Sequence, residues 1–198
     1  DGGRDDARRN IDAWWPSIES GEVEAIVVTA SGCGLQVKDY GHLLRHDRAY
    51  AAKAEKVAAL SRDVAEVILA EKDRLMAALS ELPAAPTRRV AFHAPCSLQH
   101  GQRIRGVVES LLVAAGFELA PVRDSHLCCG SAGTYSILQS ELATTLKRNK
   151  LQALEAHRPQ VIASANIGCM THLASGTSKP VRHWIELLDE RMMRAPRS

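Results

Sequence analysis

Four cysteines in the second half of the chain, Cys96, Cys128, Cys129 and Cys169, have the side chains and the spacing to hold a soft metal centre. Thirty-one residues separate Cys96 from Cys128, and thirty-nine separate Cys129 from Cys169. Thiolate sulfur suits iron–sulfur clusters and zinc. Two adjacent cysteines in a regular strand point to opposite faces, so only a bent backbone brings both to one centre. Gly130 and Gly133 supply that freedom beside the pair, and Gly168 does so beside Cys169. Other chemistry stays open for these residues. The pair could be two buried thiols or a vicinal disulfide, zinc could occupy the four sulfurs, and Cys169 with His172 could form a catalytic thiol. The last reading leaves the Cys-Cys pair unexplained.

His172 stands three residues after Cys169 and completes a Cys-x-x-His unit, which makes it a further candidate ligand. Cys33, within Ser31-Gly32-Cys33-Gly34, is the fifth cysteine and another candidate. His93 and His100 flank Cys96, and His126 precedes the pair. Histidines so placed can equally well donate hydrogen bonds to metal-bound sulfur. His42, His46 and His157 read as surface residues, and Trp14, Trp15 and Trp184 as core or interface anchors.

Bringing these cysteines together requires elements that end at one place. Arg89 to His93 reads as a strand before Cys96, Phe117 to Val122 as one before the pair, and Gln160 to Ser164 as one before Gly168-Cys169. Helices are expected over Arg103 to Ala115, closed by Gly116, over Thr134 to His157, and over Val181 to Met192. The first half reads as a helix from Arg4 to Ile18 and a buried strand from Glu24 to Ala30. A tight loop at Ser31 to Gly34 follows, then a helical stretch from Ala49 to Leu79, as one helix or two, and a Pro-rich connector from Ser80 to Thr87. This alternation indicates an α/β fold of parallel sheets flanked by helices, with the cysteines in loops at the carboxyl ends of strands, where ligands bind in such sheets.

The 198 residues are 45% hydrophobic and carry a net charge of +2, with both signs interspersed. That balance points to no nucleic-acid partner. No apolar run approaches the ~20 residues of a membrane span. The chain opens on a polar Asp1-Gly2-Gly3-Arg4-Asp5-Asp6 without Met or a signal-peptide pattern, and reads as the middle of a longer protein. An odd count of cysteines with no sign of secretion argues against a disulfide framework.

A weak internal repeat organises the chain. Ala7-Arg8-Arg9-Asn10 precedes a strand and Gly32-Cys33, while Leu146-Lys147-Arg148-Asn149 precedes a strand and Gly168-Cys169. Ile26 and Ile162 each stand seven residues before the Gly-Cys cysteine. The expected division is residues 1–82, an incomplete first copy with a long helical connector, and residues 83–198, a complete second copy. The first copy's cysteine pair would fall upstream of Asp1.

These motifs resemble the cysteine-rich CCG-domain family, whose members occur in heterodisulfide reductases, in anaerobic glycerol-3-phosphate dehydrogenases and among lactate-utilisation proteins. Residues 92–102 (FHAPCSLQHGQ), 125–135 (SHLCCGSAGTY), 164–169 (SANIGC) and 180–187 (PVRHWIEL) resemble most closely the iron–sulfur subunits of glycolate oxidase. The resemblance implies an electron-transfer subunit without flavin of its own, part of a glycolate (2-hydroxy acid) dehydrogenase. It would relay electrons from flavoprotein subunits to a quinone or another acceptor. It also implies a [4Fe-4S] cluster on Cys96, Cys128, Cys129 and Cys169, and an N-terminal ferredoxin-like part outside this chain. The setting would be cytoplasmic, with the inner membrane reached only through partners. Some relatives end each repeat in Cys-x-x-Cys and bind a noncubane cluster through five cysteines. Here those last positions are Gln36 and His172, so four sulfurs remain in the second copy.

Overall fold

The computed structural model describes residues 2–83 and 86–193; Ala84 and Ala85 of the expected connector lie outside the described residues. The chain divides into two compact units, Asp1–Val67 and Ile68–Ser198. No helix among the described residues is long and apolar enough to cross a membrane.

In the first unit, α1 (Gly2–Glu19) leads to β1 (Ile26–Val28), α2 (Ser31–Lys38), α3 (Tyr40–Leu43), α4 (Ala51–Leu60) and β2 (Ser61–Asp63). β1 and β2 pair in parallel, with Ile26 beside Ser61 and Val28 beside Asp63. Ala7, Ile11 and Ile18 recur on one face of α1 and bury against Val37, Tyr40, Leu44, Ala54 and Val57. Asn10 fixes this packing by donating its amide to the Tyr40 hydroxyl at 2.8 Å.

Two expectations for this half change. Ser31–Gly34 is the first turn of α2, not a loop: Ala30 is extended, and the Gly34 N–H already donates to the Ala30 carbonyl at 2.9 Å. The helical stretch Ala49 to Leu79 is cut by β2 and continues as α5 (Val64–Ala70) and α6 (Lys72–Ser80). The cause is a capping box at Asp63-Val64-Ala65-Glu66. Asp63 Oδ1 accepts from Ala65 N at 2.9 Å, and Glu66 Oε2 accepts from Asp63 N at 2.8 Å. The reciprocal bonds satisfy donors that a new helix leaves free and so restart it at Val64.

The second unit is built on four strands: β3 (Arg89–His93), β4 (Glu118–Leu119), β5 (Val161–Ser164) and β6 (Val181–His183). Their order is β4-β3-β5-β6 and every pairing is parallel. A π-helical turn at Ser97–Gly101 and α7 (Val107–Ala114) join β3 to β4. Next come α8 (Tyr135–Leu138) and α9 (Ser140–Glu155), then α10 (Ile167–Ala174) and α11 (Trp184–Met193). Val90 to His93 and all of β5 are buried, as a sheet covered on both faces requires.

Local chemistry moves several expected boundaries. α7 starts at Val107, not Arg103, because Arg103 and Gly106 both have positive φ, 59° and 72°. β4 pairs over two residues only, and Pro121 sits where the missing N–H would face the open edge, as suits an edge strand. The helix expected from Thr134 to His157 breaks at Gln139, whose ψ of 52° is not helical. Val181–His183, expected as helix, instead joins the free edge of β5. A second capping box then starts α11: Glu186 accepts from His183 N at 2.9 Å, and His183 Nδ1 from Ile185 N at 3.2 Å.

Candidate metal centre

The carboxyl ends of β3 and β5 point the chain at one place. β3 ends at His93, and Ala94-Pro95 carries the backbone to Cys96 at the entrance of the π-helical turn. β5 ends at Ser164, and Asn166 caps α10 by accepting from Gly168 N at 3.2 Å. Cys169 is therefore the third residue of a helix rather than part of a loop. Its thiol sits where the helix N-terminus favours negative charge. Cys128 and Cys129 lie in the irregular segment between β4 and α8. The bend there requires glycine: Gly130 has φ +93°, and a β-carbon on it would stand 2.4 Å from the Ala143 carbonyl oxygen.

Hydrogen bonds lock these segments together. Gln99 Nε2 donates to the Ala94 carbonyl at 2.8 Å and reaches the Ser125 carbonyl at 3.2 Å, joining the Cys96 turn to the Cys128 segment. Asn166 Nδ2 donates to Ser97 Oγ at 3.3 Å, joining the Cys169 helix to the same turn. Lys150 Nζ donates to the Asp124 carbonyl at 2.8 Å.

The four sulfurs converge as a chain. Cys96 is within hydrogen-bonding reach of Cys128, Cys128 of Cys129, and Cys129 of Cys169. Cys129 and Cys169 are buried in the core with Ala91, Ile162, Leu154 and Leu173, while Cys96 and Cys128 are half-buried. All five cysteines are free.

The thiols have unequal acidities, and the inequality alternates. Cys128 is held well below the ordinary thiol value because Cys129 and then Cys96 donate to it, helped by the Gly130 N–H at 3.2 Å. Cys169 is held down chiefly by the thiol of Cys129. Cys96 is pushed up by donating to Cys128 and by burial. Cys129 is pushed up because it donates to both Cys128 and Cys169. Thiolate is the ligating form, so the protons these thiols share are released when a cation binds.

The histidines, alike in the sequence, separate in space. His93 is 1% exposed, and its ring nitrogen lies with the Cys129 and Cys169 sulfurs in a group whose atoms are all within 4.8 Å of one another. Neither His93 nitrogen makes a hydrogen bond of good geometry among the described residues, and the ring approaches the Cys169 thiol closely enough to lower its proton affinity. An orphaned buried imidazole beside two buried sulfurs fits a metal group that takes an Nδ1 or Nε2 lone pair or accepts an N–H. Its place at the end of a central parallel strand was the signal for it in the sequence. His100 is exposed and its Nε2 pairs with the His126 carbonyl at 3.0 Å. His172 Nε2 faces the Ala143 carbonyl at 3.4 Å. Cys33 lies in the first unit, exposed, in the first turn of α2.

The donors present, four convergent sulfurs and one buried imidazole, fit an iron–sulfur cluster. Residues 90–174 match the family model described as a cysteine-rich domain, CCG. The chain is similar to the glycolate oxidase iron–sulfur subunit of Escherichia coli K12, with 50% identity over 93% of this chain and 44% of that protein. It is 27% identical to a probable glycolate oxidase iron–sulfur subunit of Bacillus subtilis, over 89% of this chain and 38% of the relative. It is also 27% identical to lactate utilization protein A of Bacillus licheniformis, over 88% of this chain and 74% of the relative. The chain thus spans less than half of the two glycolate oxidase subunits.

Proposed function

We propose that the chain, whose residues 90–174 match the cysteine-rich CCG-domain model, is part of an iron–sulfur electron-transfer subunit of a 2-hydroxy acid dehydrogenase, with glycolate the first substrate to test. The observation that carries this reading is the convergence of Cys96, Cys128, Cys129 and Cys169 beyond the carboxyl ends of the central strands of a parallel sheet, beside the buried His93. A cluster held there supplies one-electron chemistry. Cys96, Cys128, Cys129 and Cys169 would ligate as thiolates, releasing protons as they bind, and His93 lies on the buried side with Cys129 and Cys169.

The half-buried Cys96 and Cys128 give this side of the centre its route to solvent, so a redox partner docks there. Flavoprotein subunits are the donors and a quinone or another acceptor takes the electrons. The subunit works in the cytoplasm and meets the inner membrane through its partners. Residues 1–82 form the later part of a first repeat and residues 83–198 a complete second. In support, α2 and α10 each follow a parallel strand and each carry Gly-Cys as their second and third residues.

Electron uptake tests the reading. The chain reconstituted anaerobically with iron and sulfide should turn brown, bleach on dithionite reduction and recover on oxidation, with a paramagnetic signal in one of the two states. Stoichiometric zinc without sulfide, in a colourless protein, would overturn it.

A further inference from the structure

Lys150 is only 3% exposed, within α9. A lysine is almost never so buried unless it is paired. Its Nζ donates to the Asp124 carbonyl at 2.8 Å and lies 3.5 Å from the Ser125 carbonyl, and no carboxylate forms an ion pair with it among the described residues. The fold does not require a cation at this position. In the repeat that aligns Asn10 with Asn149, the matching residue of the first unit is Ile11, which is fully buried in an apolar core.

The cation faces the sulfurs. Lys150 and Cys128 line one cavity of about 310 Å³, and Asp124 and Ser125, which receive its N–H bonds, lead directly into Cys128 and Cys129. Burial lowers the Lys150 pKa and is the largest influence on it; the charges of Cys129, Cys96, Asp124 and Cys128 oppose that shift, and the field of Lys150 in turn lowers the proton affinity of Cys96.

Resting on the electron-relay reading above, we propose that Lys150 is the built-in counter-charge of the cysteine centre, holding its ammonium beside the Cys128–Cys129 segment so that an added electron is stabilised and the midpoint potential is raised. A cation nearby favours the more negative, reduced state, and in a poorly solvated interior that influence is screened little. The lysine also fastens the segment that presents the pair, so charge and fastening must be separated.

Two variants of the chain do this. Lys150→Gln keeps an N–H donor without charge, and Lys150→Arg keeps the charge. After anaerobic reconstitution, potentiometric titration followed by EPR should give Lys150→Gln a more negative midpoint than wild type, with Lys150→Arg near the wild-type value. A Lys150→Gln protein that assembles no cluster while Lys150→Arg does would also support a role for the charge. Equal midpoints in all three proteins, or loss of the cluster in both variants, would overturn the inference and leave the electron-relay reading standing. A wild-type chain that takes up iron and sulfide in no form would overturn that reading itself, and the inference with it.

Discussion

Gly130 lies directly against the Ala143 carbonyl: with φ at +93°, its missing β-carbon would fall 2.4 Å from that oxygen. The contact lets the Cys128–Cys129 segment turn inward over α9. Ala143 is itself 1% exposed and sits on a rigid helix, so neither side can yield.

Gly130→Ala should therefore cost at least ~1–2 kcal/mol for the left-handed backbone alone, before the clash is counted. Urea unfolding of the metal-free chain should show the loss, and reconstituted iron should fall with it. Wild-type stability in Gly130→Ala would mean that the segment does not turn as described.

Gln99→Ala should loosen the centre without emptying the core. It removes two bonds, to Ala94 and Ser125 carbonyls, each worth ~1 kcal/mol. By analogy with residues that orient metal ligands, metal affinity should drop on the order of 10-fold to 100-fold. Competition with a chelator measures it; unchanged affinity would show that the Cys96 turn and the Cys128 segment are held by other contacts.

His93→Leu should move stability and metal content in opposite directions. The buried ring makes no hydrogen bond of good geometry and touches only the Cys169 thiol, so at least one nitrogen costs the metal-free chain about 1–3 kcal/mol, and replacing the ring should raise its thermal midpoint. The same change removes the imidazole next to Cys129 and Cys169, so cluster yield or its spectrum should change. A variant less stable when metal-free and spectroscopically wild type when loaded would assign His93 to packing alone.

Glu186 predicts a pH effect. Its carboxyl is held below the ordinary carboxylate range by Arg182, whose side chain donates to it, and by the His183 N–H. A depressed carboxylate contributes stability that is complete above the unfolded-state value and is lost as pH falls through the folded value. The capping of α11 should thus weaken only in acid, below the usual carboxylate range. The group is half exposed, so the difference between wild type and Glu186→Gln near neutral pH should stay within about 1 kcal/mol and shrink further in acid. A difference that grows on acidification would contradict the sign.

The parallel sheet and its helices were legible because buried strands such as Val161–Ser164 and one-faced helices such as α1 write their periods into the sequence. What escaped was set by single side chains. Asp63 and Glu66 read as ordinary helix residues until their reciprocal bonds show a helix start, although the Asp-x-x-Glu spacing was available. β6 resembles the start of a helix in sequence because three residues carry no period; the open edge of β5 decides them. In the centre, the four cysteines were legible from residue type and glycine context. His93 differs in the sequence from the other histidines only by ending a strand, and its burial sets it apart from the exposed His100. Lys150 carried no signal beyond the repeat, since α9 is rich in charge and burial of one lysine is a tertiary fact.

Acid-labile sulfide per chain, measured after anaerobic reconstitution in wild type, Cys129→Ser and Cys33→Ser, tests the metal assignment most directly. Cys129 donates to both Cys128 and Cys169 and so stands inside the sulfur chain, whereas Cys33 is an exposed residue of the first unit. Sulfide should be stoichiometric with iron in wild type and Cys33→Ser, and should be lost in Cys129→Ser. Equal sulfide in Cys129→Ser and wild type would contradict the placement of the cluster on Cys96, Cys128, Cys129 and Cys169.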